Sequence, residues 1–121
     1  MVLSPIAAEH VQSPRNAGRI EDATHVGVGG TPGEGPYVRL WLVLDGDMIR
    51  RAGYECNGCP SSTAAASMAA QLLAGRTRER ALRLEPHDLL LILGGLPEGK
   101  ESYAAMAVEA VREALEKGTR C

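Results

Sequence analysis

Two cysteines separated by two residues are the part of this chain whose type and spacing most directly suggest chemistry. Cys56 and Cys59 lie in the stretch YECNGCPSST (54–63), and the one remaining cysteine is Cys121. Thiolates bind zinc and iron, and a pair at this spacing also serves thiol–disulfide exchange. A structural zinc site needs about four ligands, so the pair alone leaves a metal site incomplete.

The two cysteines differ in their predicted surroundings. Cys56 lies on a predicted strand, and packing is one interpretation of it because free cysteine is among the most buried residue types. Cys59 follows Gly58 and precedes Pro60 at a strand-to-helix junction. Backbone N–H groups and the helix dipole favour an anion there, which predicts an easily formed thiolate. A thioredoxin-like pair is an alternative, although a hairpin and not a βαβ unit precedes it.

A second stretch has the spacing of a phosphate-binding loop. In GGLPEGKES (94–102), Gly94, Gly99 and Lys100 match most of that motif, but Glu101 replaces the serine or threonine that binds magnesium. Only one predicted helix follows, so nucleotide hydrolysis is disfavoured. The three scattered histidines are predicted to be surface or capping residues: His10, His25 and His87.

The elements that must position these residues are predicted to be strands followed by helices. Segments 24–30 and 37–45 predict two strands, Asp45-Gly46 indicates a hairpin turn, and segment 48–56 is the returning strand. Segments 4–12, 61–75, 77–84 and 85–93 predict helices, the first capped by Ser4 and the second by serines. Apolar residues at i, i+3, i+4 and i+7 from Tyr103 to Leu115 predict a final amphipathic helix.

This order predicts an α+β fold: a small antiparallel sheet of about three strands covered by helices. The 121 residues, 45% of them hydrophobic and 23% charged, suit one domain, 1–121. The net charge of −2 without a basic stripe argues against a nucleic-acid partner. No signal-like or membrane-spanning apolar run is evident, so no membrane partner and a reducing cytoplasm are expected. Arginines interleaved with two glutamates are expected to form a solvated helical face: Arg76, Arg78, Glu79, Arg80, Arg83 and Glu85.

The order of these motifs resembles that of the NifU/IscU-type iron–sulfur cluster assembly scaffold proteins, over nearly all of the chain. The resemblance is carried by a Pro-Arg-Asn-x-Gly stretch, a Gly-x-Pro loop before the long strand, and Gly-Cys before a helix of small residues. The matching residues are Pro14, Arg15, Asn16, Gly18, Gly30, Pro32, Gly35, Gly58 and Cys59. The resemblance implies the NifU/IscU-like fold, of the SufE/NifU type.

The resemblance also implies a ligand set, of which this chain keeps one cysteine. Cys59 is the family's second ligand position, while the first falls on Glu34, the third on Tyr103 and the family's aspartate on Pro36. Cys56 has no counterpart in the family. The implied site is centred on Cys59, with Cys56 and Glu34 as further candidate metal ligands. The cargo would be a transient iron–sulfur cluster or iron. The other two interpretations are that the site binds zinc or that it binds no metal.

The implied function is a scaffold-like protein, not an enzyme, that accepts sulfur and transiently binds metal at Cys59. The implied partners are a cysteine desulfurase, a second copy of the chain in a homodimer and, through Leu96, Pro97 and Lys100 of LPEGK, an Hsp70-type chaperone pair. Two alternatives stay open at this point. One is a docking module without metal for a cysteine desulfurase or another assembly partner, and the other is a small Cys-x-x-Cys thiol–disulfide protein.

Overall fold

A computed structural model describes residues 3–13 and 16–117 of the chain. Pro14, Arg15 and Cys121, which entered the sequence comparison above, lie outside these ranges. The predicted α+β class and the order of strands before helices are confirmed. The elements are α1 (Pro5–Gln12), β1 (His25–Gly30), β2 (Tyr37–Asp45), β3 (Met48–Asn57), α2 (Pro60–Leu73), α3 (Arg78–Leu82), α4 (Pro86–Leu93) and α5 (Ser102–Lys117).

The three strands form one antiparallel sheet in the order β1-β2-β3. Alternate residues of β2, namely Val38, Leu40 and Leu42, are fully buried, as the period-two pattern predicts for a face that packs on helices. Asp45 pairs with Met48, so the two loop residues of the hairpin are 46 and 47, one position later than predicted. Gly46 has a φ of 62°, which suits a tight two-residue turn.

Helices α2 and α5 cover the inner face of the sheet. Eight of the ten buried residues of α2 are alanines or serines, and these small side chains let the helix approach the sheet and its neighbouring helices closely. One set of buried residues lies between the sheet and the two helices, including Leu40, Leu73 and Val111. A second set lies where α1 and α4 pack, and it includes Leu89 and Leu93.

Strand β1 lies directly against α5. A Cβ atom added at Gly27 would overlap the carbonyl oxygen of Ala110, and one added at Gly29 would overlap that of Met106. The outward N–H groups of β1 also find partners on α5: Val28 N donates to Glu113 Oε1 at 2.8 Å. The last helix therefore satisfies the edge of the sheet that would otherwise be unpaired.

The structure corrects two expectations about charged and polar residues. His10 is not at the surface: it is 2% exposed, and its Nδ1 lies 2.7 Å from Ser67 Oγ, because α1 packs its His10 face on α2. Arg78 does not belong to a solvated face, because its Nε donates to the carbonyl oxygen of Leu115 at 3.1 Å. Within the described residues, no helix is long and apolar enough to cross a membrane.

Candidate functional site

Cys59 is the N-cap residue of α2, the position that the sequence assigned to serine. Pro60 stands at the first helical position, where proline is favoured, so the helix begins one residue earlier than predicted. Ser61 and Ser62 are consequently buried in the first turn. The carbonyl oxygen of Cys59 accepts hydrogen bonds from Ser62 N at 2.9 Å and from Ser62 Oγ at 2.7 Å. These contacts fix the half-buried cysteine at the helix terminus.

The electrostatics of this position favour the Cys59 thiolate. Burial raises the pKa of the thiol, but the backbone N–H groups of Ser61 and Ser62, the Ser61 hydroxyl and the Tyr103 hydroxyl all stabilise the anion. The net pKa lies below its usual value. The direction agrees with the prediction made from the strand-to-helix junction, and the structure adds side-chain donors to the helix dipole.

Tyr103, in the first turn of α5, lies beside Cys59. A Cβ added at Gly58 would lie 3.4 Å from Tyr103 Cε1, so the ring packs against the residue before the cysteine. The pKa of Tyr103 is raised, first by burial and then by the hydrogen bond and charge of Cys59. Lys100 Nζ lies 5.9 Å from the centre of the ring. A hydrogen-bond donor therefore occupies the position where the resemblance would place the third ligand thiolate.

Cys56 faces the helices from β3. It pairs with Val38, is half-buried against the core between sheet and helices, and has its Sγ 3.6 Å from Thr63 Oγ1 in α2. Glu34 lies exposed in the loop between β1 and β2, where its N–H donates to the Thr31 carbonyl at 3.1 Å.

The donor set does not fit a resident metal. Across residues 3–13 and 16–117, no three His, Cys, Asp or Glu side chains are grouped so that they could hold a metal ion. Cys59, Cys56 and Glu34 therefore do not form a three-ligand site in this conformation. Their role as ligands stays a prediction.

The predicted partner-binding residues lie in the loop between α4 and α5. Leu96 and Pro97 are half-buried, and Lys100 N donates to the Pro97 carbonyl at 2.9 Å. The same loop brings the Lys100 ammonium near the Tyr103 ring and hence near Cys59. Recognition of this loop by a chaperone stays a prediction.

Sequence reasoning missed the polar surroundings of the thiol. Ser61 and Ser62 were interpreted as helix caps, and Tyr103 only as a lost ligand. The proline directly after Cys59 was the available signal, because proline at the first helical position makes the residue before it the cap.

Comparison with known proteins places this site in context. The family model described as NifU-like N terminal domain matches residues 4–120. The iron-sulfur cluster assembly scaffold protein IscU 1 of Archaeoglobus fulgidus is 35% identical over 107 residues, covering 88% of this chain and 70% of that protein. The zinc-dependent sulfurtransferase SufU of Bacillus subtilis is 34% identical over 96 residues, covering 79% of this chain and 61% of that protein. The N-terminal part of a nitrogen-fixing NifU-like protein from Brucella abortus aligns with a TM-score of 0.59 at 20% identity, covering 95% of this chain and 79% of that one. At this low identity, the comparison with the Brucella abortus protein shows similarity of fold alone.

Proposed function

The chain belongs to the family of NifU-like N-terminal domains, and we propose that it acts in iron–sulfur cluster assembly as a scaffold-like protein that accepts sulfur on Cys59. One observation supports this most directly. The cysteine that the resemblance assigns to a ligand position, Cys59, lies at the N-terminus of α2, half-buried among hydrogen-bond donors.

The proposed step is a persulfide transfer from a protein persulfide of the kind formed on a cysteine desulfurase. The Cys59 thiolate attacks the outer sulfur of the donor, a new S–S bond forms on Cys59, and the donor's own S–S bond breaks. The donor cysteine leaves as a thiolate with the electron pair. One sulfur atom changes carriers and no external oxidant or reductant is required. The N–H groups of Ser61 and Ser62 favour the ionised form of the attacking sulfur, because they lower the pKa of Cys59.

Metal enters this proposal as cargo and not as a resident cofactor. Iron–sulfur clusters are held by soft thiolates, whereas Glu34 offers a hard oxygen and Tyr103 a phenol whose pKa is raised. One retained cysteine needs further ligands from Cys56, from Glu34 or from a second molecule. Transient binding of iron, an iron–sulfur cluster or zinc at Cys59 is thus part of the proposal, and we derive no step through it.

The named relatives leave one distinction to experiment. One is a scaffold protein and another a sulfurtransferase, so similarity alone does not separate a passive carrier from an enzyme. We propose stoichiometric acceptance of sulfur, with a cysteine desulfurase as the partner. Chaperone recognition through Leu96, Pro97 and Lys100 is a further part of the proposal. None of the relatives named above is a thiol–disulfide exchange protein, and we do not pursue that alternative.

The test is sulfur transfer to purified protein under anaerobic conditions, from inorganic polysulfide and from a cysteine desulfurase supplied with cysteine. Intact-protein mass spectrometry should show one added sulfur atom per chain in the wild type. Cys59→Ser should lose it, and the matched Cys56→Ser should keep it, with both variants folded by circular dichroism. Equal sulfur loading of the Cys59→Ser variant would show that the acceptor is elsewhere.

A further inference from the structure

A groove with an apolar wall opens between α3 and α4, and none of its lining residues belongs to the Cys59 site. The groove has a volume of about 370 Å³. Leu84 is buried at its base, and Leu91 and Ile92 of α4 are 66% and 40% exposed along it. Any role of this groove is therefore separate from sulfur acceptance.

Leu91 and Ile92 are exposed although their helix already fills the core. Leu89 and Leu93 are fully buried, so α4 packs on the core without using Leu91 and Ile92. In the part of the chain that the structure describes, large exposed hydrophobic residues are found at three positions, and two of them line this groove. Adjacent exposed apolar side chains that share a groove mark a surface for another molecule.

Positive charge surrounds these apolar side chains. Arg76, Arg80 and Arg83 line the groove together with one carboxylate, that of Asp88. Asp88 is already engaged, since its Oδ2 accepts the N–H of Glu85 at 3.0 Å. The groove therefore carries three guanidinium groups against one carboxylate, on a chain whose net charge is −2.

The glutamates near these arginines in sequence leave most of that charge uncompensated. Glu79 pairs with Arg83 at 3.5 Å, with both side chains largely exposed, so the contact is weak. Glu85 pairs instead with Arg112 of α5, at 2.8 Å. The planar guanidinium group of arginine binds a carboxylate through two parallel hydrogen bonds, so the groove is chemically suited to acidic side chains.

The backbone that carries the groove is held in place. Ile49 N donates to the Arg76 carbonyl at 2.9 Å, and Arg76 N donates to the Leu73 carbonyl at 3.0 Å. Thr77 caps α3, and a reciprocal capping box fixes the start of α4. A surface that is already ordered loses little conformational freedom when a ligand binds.

We propose that this groove is the docking site for an acidic amphipathic helix of a partner protein. Apolar residues at i, i+3 and i+4 of that helix would pack on Leu91 and Ile92, and its flanking carboxylates would meet Arg76, Arg80 and Arg83. The concave shape suits a protruding helix better than a flat lipid surface. The surplus of positive charge selects an acidic ligand over a neutral one.

The test uses a fluorescent designed peptide with leucines at helical spacing and glutamates on both flanks, measured by anisotropy against the whole chain. We expect saturable binding that weakens with added salt. Arg80→Glu and Leu91→Ser should each raise the Kd by roughly tenfold or more. The matched control Arg50→Glu, an exposed arginine paired with Asp45 on the hairpin, should leave the Kd unchanged. A peptide with lysines in place of the glutamates should not compete.

Three results would overturn the proposal. The first is no binding of the acidic peptide at millimolar concentration, or binding that neither groove variant alters. The second is a dimer in sedimentation of the free chain that Leu91→Ser dissociates, since the occupant would then be a second copy. The third is flotation with anionic phosphatidylglycerol vesicles that depends on Leu91, which would assign the groove to a membrane surface.

Discussion

Tyr103, in the first turn of α5, lies beside Cys59, the N-cap of α2, and its hydroxyl group helps to lower the pKa of the Cys59 thiol. The contact joins two helices that begin at the same end of the domain. The resemblance to the family would place a second ligand thiolate at position 103. This chain has a phenol there, whose hydroxyl stabilises a single thiolate.

Removing that hydroxyl should make the Cys59 thiolate harder to form. In Tyr103→Phe, the pKa of Cys59 should rise because one donor to the anion is lost, so the pH profile of alkylation should shift to higher pH. At neutral pH the rate with iodoacetamide should fall by roughly threefold to tenfold, which corresponds to a loss of about 0.7–1.4 kcal/mol, within the range of a typical net hydrogen bond. Peptide mapping would report the rate at Cys59 separately from the rate at Cys56.

The matched control is Tyr37→Phe, which removes an exposed tyrosine hydroxyl that donates to Glu55 on the sheet. It should leave the pH profile of Cys59 alkylation unchanged.

The lowered pKa of Cys59 in the folded protein also determines how the stability of the fold depends on pH. The thiolate stabilises the fold fully above the ordinary thiol value of 9.0, and this contribution is lost as pH falls through the pKa of the folded state. An unchanged profile in Tyr103→Phe would contradict the stabilisation of the Cys59 thiolate by Tyr103.

A cysteine introduced at position 103 should strengthen metal binding at Cys59. Tyr103→Cys places a second thiolate next to Cys59, and soft ligands in pairs bind zinc and iron far better than one alone. We expect zinc affinity to increase by roughly tenfold or more, as measured by competition with a chromogenic chelator. The control is Ala105→Cys, which adds the same number of thiols at an exposed position of α5. Equal affinities in the two variants would mean that position 103 has no special relation to Cys59.

A methyl group on β1 should destabilise the whole domain. Gly27→Ala places a Cβ against the Ala110 carbonyl, and backbone atoms cannot move aside as a side chain can. We expect the free energy of unfolding to fall by about 2–3 kcal/mol in urea denaturation. Gly33→Ala is the comparison, since it meets open space but has a φ of 88°, and it should cost about 1 kcal/mol. A smaller effect at Gly27 than at Gly33 would disprove the close packing of β1 on α5.

The buried polar contact under α1 should contribute measurably to stability. Ser67 Oγ contacts His10 Nδ1 at 2.7 Å within the core. Ser67→Ala removes this partner from the buried imidazole, and the free energy of unfolding should fall by about 1–3 kcal/mol. Ser13→Ala, at an exposed serine after α1, should change it by less than about 0.5 kcal/mol. Thermal and urea unfolding of the two variants side by side would settle the comparison.

Local patterns in the sequence were sufficient for most of the fold. The alternation in β2 and the helical spacing from Tyr103 to Leu115 each reflect which side chains must leave water, and both elements were predicted within a residue or two. The position of His10 could not be predicted in this way. Its burial depends on Ser67, a partner 57 residues away, and no local pattern reports such a partner.

The sequence was sufficient to predict Cys59 as the centre of the candidate site, but not the groups that surround its thiol. Cys59 could be identified because glycine before it and proline after it mark a helix start. The effect of Tyr103 on the Cys59 thiol depends on how α5 packs beside α2, and that is a property of the tertiary fold. The groove between α3 and α4 is similar, since the sequence shows the arginines but not that Leu91 and Ile92 stay exposed beside them.

The packing of β1 on α5 determines when the domain can finish folding during its synthesis on the ribosome. Val28 and its partner Glu113 are 85 residues apart in the chain, so the first strand emerges long before the helix that satisfies its edge. Until α5 is released, the nascent sheet exposes a free strand edge and the part of its apolar face that α5 covers, both of which favour misassociation. Final closure of the domain must therefore wait until translation has passed α5, and a chain stalled before that helix is expected to depend on chaperones for its solubility.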